Sequence, residues 1–342
     1  MVANPRVSPT IYTHVVFSSA GFREGKVRRT TQVLLSILLT GCGGGGKAPV
    51  SPTAAQPAPT PTPVPFVTVI SGQTGQSVVG AQVIVAGTAF VTDTTGQARL
   101  TTAPNGATVD IIAPGFFDRQ TTIREGSANL SRYTLWPRQP LPLFDEGYTR
   151  ILVYTSSSTG DAGASTPLER LAPSTTQIRI VLSPQLQADS TALALHQFGA
   201  DSMNTAVSGL FRYSVGPEVP GSLNVDTSVG GELCGPRSGA YALLRVNGRS
   251  EITGLSIVYC DIRFARDGSF VLHEMGHTLG LGHSDLLSDV MSPIGTTEIF
   301  SDRELLLMKL MYQRPAGNTF PDNDRNTAGL SSPRVRTIVC RR

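Results

Sequence analysis

The sequence predicts an α+β protein in which a small all-β sandwich precedes a larger domain mixing strands with helices. Two observations predict it. Residues 66–137 alternate apolar and polar positions in short runs separated by glycine turns, and they show no helical period. From about Glu146 onward, β-branched runs such as Gln177–Leu182 are interspersed with stretches that place apolar residues at helical spacing, such as Thr191 to about Leu210. A length of 342 residues accommodates two such domains with tails, and a hydrophobic content of 40% against 15% charged residues permits packed cores.

Residues 1–41 read as a leader. Lys26, Arg28 and Arg29 precede the apolar run Val33–Leu39, and Thr40-Gly41-Cys42 follows. The run is too short for a membrane-spanning helix, which takes ~20 apolar residues. Leu39-Thr40-Gly41-Cys42 resembles a bacterial lipobox, which implies acylation of Cys42 and an exported protein held on a membrane, with the outer membrane or cell surface favoured by Gly43. The formal net charge of +3 comes from this leader. Arg6, Arg23, Lys26, Arg28 and Arg29 lie before Cys42 against only Glu24, so the remainder is close to neutral and no basic stripe suggests nucleic acid. Residues 1–26 fit neither a signal nor a domain. Residues 42–65 are rich in Gly, Pro and Thr, with prolines at every second position from Pro57 to Pro65. That composition forms an extended tether rather than a core.

Within the sandwich, strands are expected over Phe66–Ser71, Val78–Val85, Phe90–Thr92, Ala98–Thr101, Thr108–Ile112, Gln120–Ile123 and Arg132–Leu135. Asp93-Thr94-Thr95-Gly96 reads as a hairpin turn, and the whole as antiparallel. Val79-Gly80-Ala81, Thr92-Asp93 with Gly96, and Ala113-Pro114-Gly115-Phe116 resemble the carboxypeptidase regulatory-like, transthyretin-like domain. That likeness implies the sandwich fold and a spacer or adhesion role.

The larger domain is expected over 138–317, with strands at Gln177–Leu182, Ser222–Thr227, Ala240–Val246 and Ile252–Cys260 and a helix around Ser269–Leu279. Ser301-Asp302-Arg303-Glu304 reads as a capping box for a last helix through Met311, stopped by Pro315. Residues 318–342 read as a polar, loose tail.

Cysteine is sparse: Cys42, Cys234, Cys260 and Cys340, with no Cys-x-x-Cys. One disulfide between Cys234 and Cys260 is expected in an exported protein, leaving Cys340 odd.

The chemistry concentrates in His273-Glu274-Met275-Gly276-His277-Thr278-Leu279-Gly280-Leu281-Gly282-His283. His273 and His277 lie one turn apart on one helix face and can hold one metal ion. Gly280 can turn the chain so that His283 returns as a third ligand, and Glu274 stands beside them as a candidate general base. This string resembles the metzincin pattern of zinc peptidases. Met291, in Asp289-Val290-Met291-Ser292-Pro293, matches the family's Met-turn, and the short interval from His283, with Ser284 directly after it, resembles the matrixin branch.

The resemblance implies a mostly parallel twisted sheet with long helices. It implies one catalytic Zn²⁺ on His273, His277 and His283, and Glu274 as the base for water attack on a peptide bond. A peptide substrate would lie along Ala240–Val246, and residues from Ile294 to Phe300 would wall the specificity pocket. A second histidine-built zinc is excluded, since five histidines leave only His14 and His196 outside the motif. Calcium sites need only carboxylates and carbonyls and stay open. Cys234-Gly235-Pro236-Arg237 faintly resembles the cysteine that silences animal matrixins, but inside the wrong region. The oligomeric state is not written in the sequence. Two other readings remain: an inactive, protease-like adhesion lipoprotein, and a binding module whose working part is the sandwich.

Overall fold

A computed structural model describes residues 65–101, 105–123, 131–138, 146–154, 166–324 and 332–341. The leader, Cys42 and the tether lie outside them. The described residues belong to one compact unit.

The first seven strands are β1 (Phe66–Ser71), β2 (Gln82–Val85), β3 (Thr88–Val91), β4 (Gln97–Arg99), β5 (Thr108–Ile112), β6 (Arg119–Thr122) and β7 (Ser131–Leu135). They form two sheets, β4-β1-β7 and β3-β2-β5-β6, closed on a core that includes Val67, Val69, Val83, Val109, Ile111 and Leu135. Two expectations are corrected. The sandwich is not wholly antiparallel, because β7 enters beside β1 in the same direction. The Asp93–Gly96 turn is present, with Asp93 Oδ1 accepting from the Thr95 and Gln97 amides at 2.8 and 3.1 Å, but it joins β3 to β4 across the two sheets and makes no hairpin.

The rest of the chain comprises α1 (Glu146–Val153), β8 (Arg170–Leu171), β9 (Gln177–Leu182), α2 (Pro184–Ala188), α3 (Ser190–Ala206), β10 (Arg212–Val215) and β11 (Leu223–Val229). There follow β12 (Ser238–Val246), β13 (Glu251–Tyr259), α4 (Ile262–Ala265), α5 (Gly268–His277), α6 (Asp302–Met311) and β14 (Arg334–Arg341). Strands β10, β9, β11 and β13 run parallel in that order, with β8 also parallel to β13; β12 and β14 complete the edge antiparallel. Burial alternates along β9, with Ile178, Ile180 and Leu182 facing the core, as a half-covered strand requires. Helix α3 lies against α5, and Gly199 makes the close crossing: a Cβ there would stand 2.8 Å from Met275 Sδ. That contact explains a glycine in the middle of a long helix, which otherwise costs about 1 kcal/mol.

The described parts of the segment expected to be a loose polar tail, 318–324 and 332–341, are instead built into the fold. Arg314 is fully buried, pairs with Asp322, donates to the Thr134 carbonyl at 2.9 Å and lies 4.6 Å over the Trp136 ring. Arg119 of β6 pairs with Asp324 at 2.6 Å, and Asn318 donates to both Asp322 and Asp324. This buried polar seam fastens the sandwich to the larger domain. The chain then returns as β14 beside β12. Composition suggested solvent exposure, but paired charges can be buried when their partners come from distant segments.

Candidate metal centre

Helix α5 starts at Asp267, whose Oδ1 accepts from the Phe270 amide at 3.2 Å, and every residue of the helix is buried. It ends where Gly280 takes φ +95°; a Cβ there would also lie 2.1 Å from the Glu169 carbonyl, so conformation and space both require glycine. The chain doubles back, anchored by Gly282 donating to the Leu152 carbonyl at 2.8 Å. This turn sets the His283 ring 5.2 and 5.0 Å from the rings of His273 and His277.

The imidazoles are oriented from behind. His273 Nδ1 donates to the Val290 carbonyl at 2.7 Å, and His277 Nδ1 donates to the Leu281 carbonyl at 2.8 Å. Those bonds leave Nε2 of each ring as an acceptor, the tautomer a metal ligand needs. The two Nε2 atoms are 3.1 Å apart. Burial and the neighbouring histidines hold His277 well below the ordinary imidazole range, hence neutral.

A fourth group, unforeseen in the sequence, completes the cluster. Cys340 of β14 is buried, and its Sγ lies 3.3, 3.4 and 3.5 Å from Nε2 of His273, His277 and His283. The ligand atoms of the four residues all lie within 4.8 Å of one another. Bonds of about 2.0–2.3 Å to a tetrahedral ion would place such donors about 3.3–3.6 Å apart. The spacing and donor types therefore fit a divalent metal ion with nitrogen and sulfur ligands, and these four residues could hold one.

Met291 is fully buried beneath α5, and a Cβ on Gly276 would lie 2.2 Å from its Sδ. Glycine between the two helical histidines is what lets the turn approach. Glu304, the capping-box residue of α6, fixes that turn by accepting from the amides of Met291 at 2.8 Å and Val290 at 3.3 Å, while also capping Ser301. Asp289 is clamped by Arg303, Ser284 and Ser301. The capping box was visible in the sequence; its second task, holding the Met291 turn, was not.

Glu274 is fully buried, and burial pushes its carboxyl up to about 8, the Cys340 thiol pulling weakly the other way. Among the described residues the Cys340 thiol is the group that faces this carboxylate, and no nitrogen or oxygen donor meets either of its oxygens. Tyr259, at the end of β13, is buried nearby and bonds His196 Nε2 at 3.1 Å, so His196 is a core residue with both nitrogens in use.

The remaining expected residues fall as follows. Cys234 and Cys260 form a disulfide, tying the loop after β11 to the end of β13, so Cys234 is not a metal cap. Ala240–Val246 is corrected: it is no open edge, because β12 is paired with β13 on one side and β14 on the other. Glu298, Ile299 and Phe300 line a hollow of about 230 Å³ with Phe198, Ser202 and Leu272, whose walls include none of the three histidines. One signal could have found Cys340. In Arg334-Val335-Arg336-Thr337-Ile338-Val339-Cys340, alternation places Arg334, Arg336, Ile338 and Cys340 on one strand face.

No family model matches the chain, and no curated protein matches it. Among solved structures, metalloproteinase-II from Bacteroides fragilis aligns at 13% identity and TM-score 0.28, covering 72% of this chain and 84% of that one. A protein of unknown function from Bacteroides fragilis NCTC 9343 aligns at 11% identity and TM-score 0.20, covering 42% of this chain and 40% of that one. Superpositions at these scores leave the functional reading to the residues themselves.

Proposed function

We propose that this chain is a zinc-dependent endopeptidase of metzincin, matrixin-like type, exported, anchored on a membrane through Cys42, and acting on extracytoplasmic proteins. The observation that carries the reading is the convergence of His273, His277 and His283 on one point, with Glu274 buried between the two helical ligands and Met291 beneath. The three histidines would hold the ion, with the His273 and His277 rings aimed by the Val290 and Leu281 carbonyls. When bound, zinc supplies Lewis acidity that makes a water nucleophilic near neutral pH and polarises a carbonyl. Glu274 takes the proton of the attacking water and returns it to the leaving amine. Burial raises its carboxyl, and a bound cation beside it would draw it back toward the ionised form that accepts a proton. The same carbonyl bonds fix the tautomer of His273 and His277, leaving each Nε2 free to accept a metal.

Glu274→Gln tests the reading, made in the full chain and again beside Cys340→Ala, where the fourth donor is absent. Glutamine keeps the shape but accepts no proton, so peptide cleavage falls by at least ~10²-fold with bound zinc unchanged. Cleavage at the unsubstituted rate would rule out the assigned role.

A second reading has one observation behind it. Four protein donors, three imidazoles and a thiol, make a closed set, and closed sets are the habit of structural zinc. That favours the inactive adhesion lipoprotein, and the fate of Cys340 decides between the two.

A further inference from the structure

Strand β14 runs antiparallel along β12 from the Ser238–Arg341 pair to the Val246–Arg334 pair. It therefore covers the edge along which an extended peptide would be cut. Its inward face is specific. Arg334 and Arg336 both grip the buried carboxylate of Glu169, Ile338 is fully buried, and Cys340 meets the three histidine Nε2 atoms. Its outward face is open, with Val335 at 62% exposure, and among the described strands it pairs with β12 alone. A strand held on one side only can depart without dismantling the sheet.

We propose that β14 is an intramolecular plug: it lies in the peptide groove along β12 and closes the metal centre with Cys340 Sγ, so that the folded chain is latent until β14 is displaced. This rests on the reading of the histidine cluster as the catalytic zinc site. With a metal held by the three histidines, opening would release the Cys340 sulfur, which would take one proton from solvent, and a water molecule could occupy the place it left. The Glu169 clasp holds the strand away from the chemistry, so weakening it favours the open form while leaving every metal donor intact.

The test uses the full chain with its Cys234–Cys260 disulfide intact, loaded with Co²⁺ for spectroscopy and with Zn²⁺ for cleavage of an unstructured peptide library. The unsubstituted protein should show sulfur-to-cobalt charge-transfer absorption. Cys340→Ala should lose that absorption, still bind one ion through three histidines, and cleave at least ~10-fold faster, as expected when the competent fraction was a tenth or less. Arg334→Ala with Arg336→Ala should keep the absorption, cleave faster, and let iodoacetamide reach Cys340 sooner. Absence of sulfur absorption in the unsubstituted protein overturns the plug. Equal, appreciable cleavage by the unsubstituted and Cys340→Ala chains overturns it too, while leaving the peptidase reading in place. Metal retained in all forms with no cleavage by any of them removes both readings and marks a structural site. If Cys340→Ala fails to fold, the paired arginine variant decides: faster cleavage supports the plug, and an unchanged rate overturns it.

Discussion

The molecule buries polar groups in two places, and they solve the problem in opposite ways. In the seam, two arginines meet two aspartates: Arg314 pairs with Asp322, Arg119 with Asp324, and Asn318 bridges both carboxylates. Every charge there has its counter-charge from within the chain. At the metal centre, three imidazole nitrogens and a sulfur converge: the sulfur lies 3.3–3.5 Å from each nitrogen, and all four atoms lie within 4.8 Å of one another. No cationic side chain of the cluster balances them. A seam that is self-sufficient holds parts together; a cluster of acceptors at coordination spacing could hold a cation.

The largest effect that would sharpen this contrast concerns metal. Zinc at about a thousand times its dissociation constant should stabilise the chain by ~4 kcal/mol, read as a shift in thermal unfolding. His277→Ala should abolish that shift and all cleavage, while seam variants retain it. An equal zinc shift in His277→Ala would break the contrast at once.

Next is the seam. Arg314→Leu leaves Asp322 buried without its partner and should cost ~3–5 kcal/mol in denaturant unfolding. Adding Asp322→Leu should recover most of that loss. If the double variant is as unstable as the single one, the charge-balance account of the seam is wrong.

Smaller effects bear on the support of the centre. Glu304→Ala strips acceptors from the buried amides of Val290 and Met291, and should cost ~1–3 kcal/mol. It should also weaken metal retention by ~10-fold or more, the low end for losing an outer support. Competition with a chromophoric chelator measures the second number, and unchanged affinity would separate the turn from the site. Smallest of all, Ser301→Ala removes a helix cap and should cost ~1 kcal/mol with metal affinity intact; a drop in affinity would show that cap and centre are coupled more tightly than Glu304 alone implies.

What was legible in the sequence was what is local. The helix with His273 and His277, the glycine that turns it, the return of His283 and the capping box at Ser301 each fit within a few turns of chain, and the structure places them together. So do Phe66–Ser71, Thr108–Ile112 and Gln177–Leu182, whose short alternating or β-branched runs marked strands at the observed bounds. What escaped depends on distant partners. Asn318, Asp322 and Asp324 looked like tail because Arg119 and its β6 neighbours, which bury them, are about two hundred residues away. The parallel pairing of β1 with β7 is likewise set by which sheet the chain rejoins. Helix α1 was missed because it is short and carries Gly147 in its first turn. Cys340 belongs with these: its strand pattern was present, but nothing nearby in sequence says that β12 receives it.

The spacing of the metal donors along the chain has a consequence for the order of assembly. The three histidines sit within eleven residues, whereas Cys340 stands 57 to 67 positions beyond them. Short loops close before long ones and at smaller entropic cost. A refolding chain therefore gathers its imidazoles first and receives its sulfur late, passing through a three-donor state before β14 arrives. Alkylating thiols at successive moments of refolding in the presence of metal would time that arrival. Late protection of Cys340 relative to metal capture is the expected order, and simultaneous protection would mean that the strand and the helix form as one cooperative nucleus.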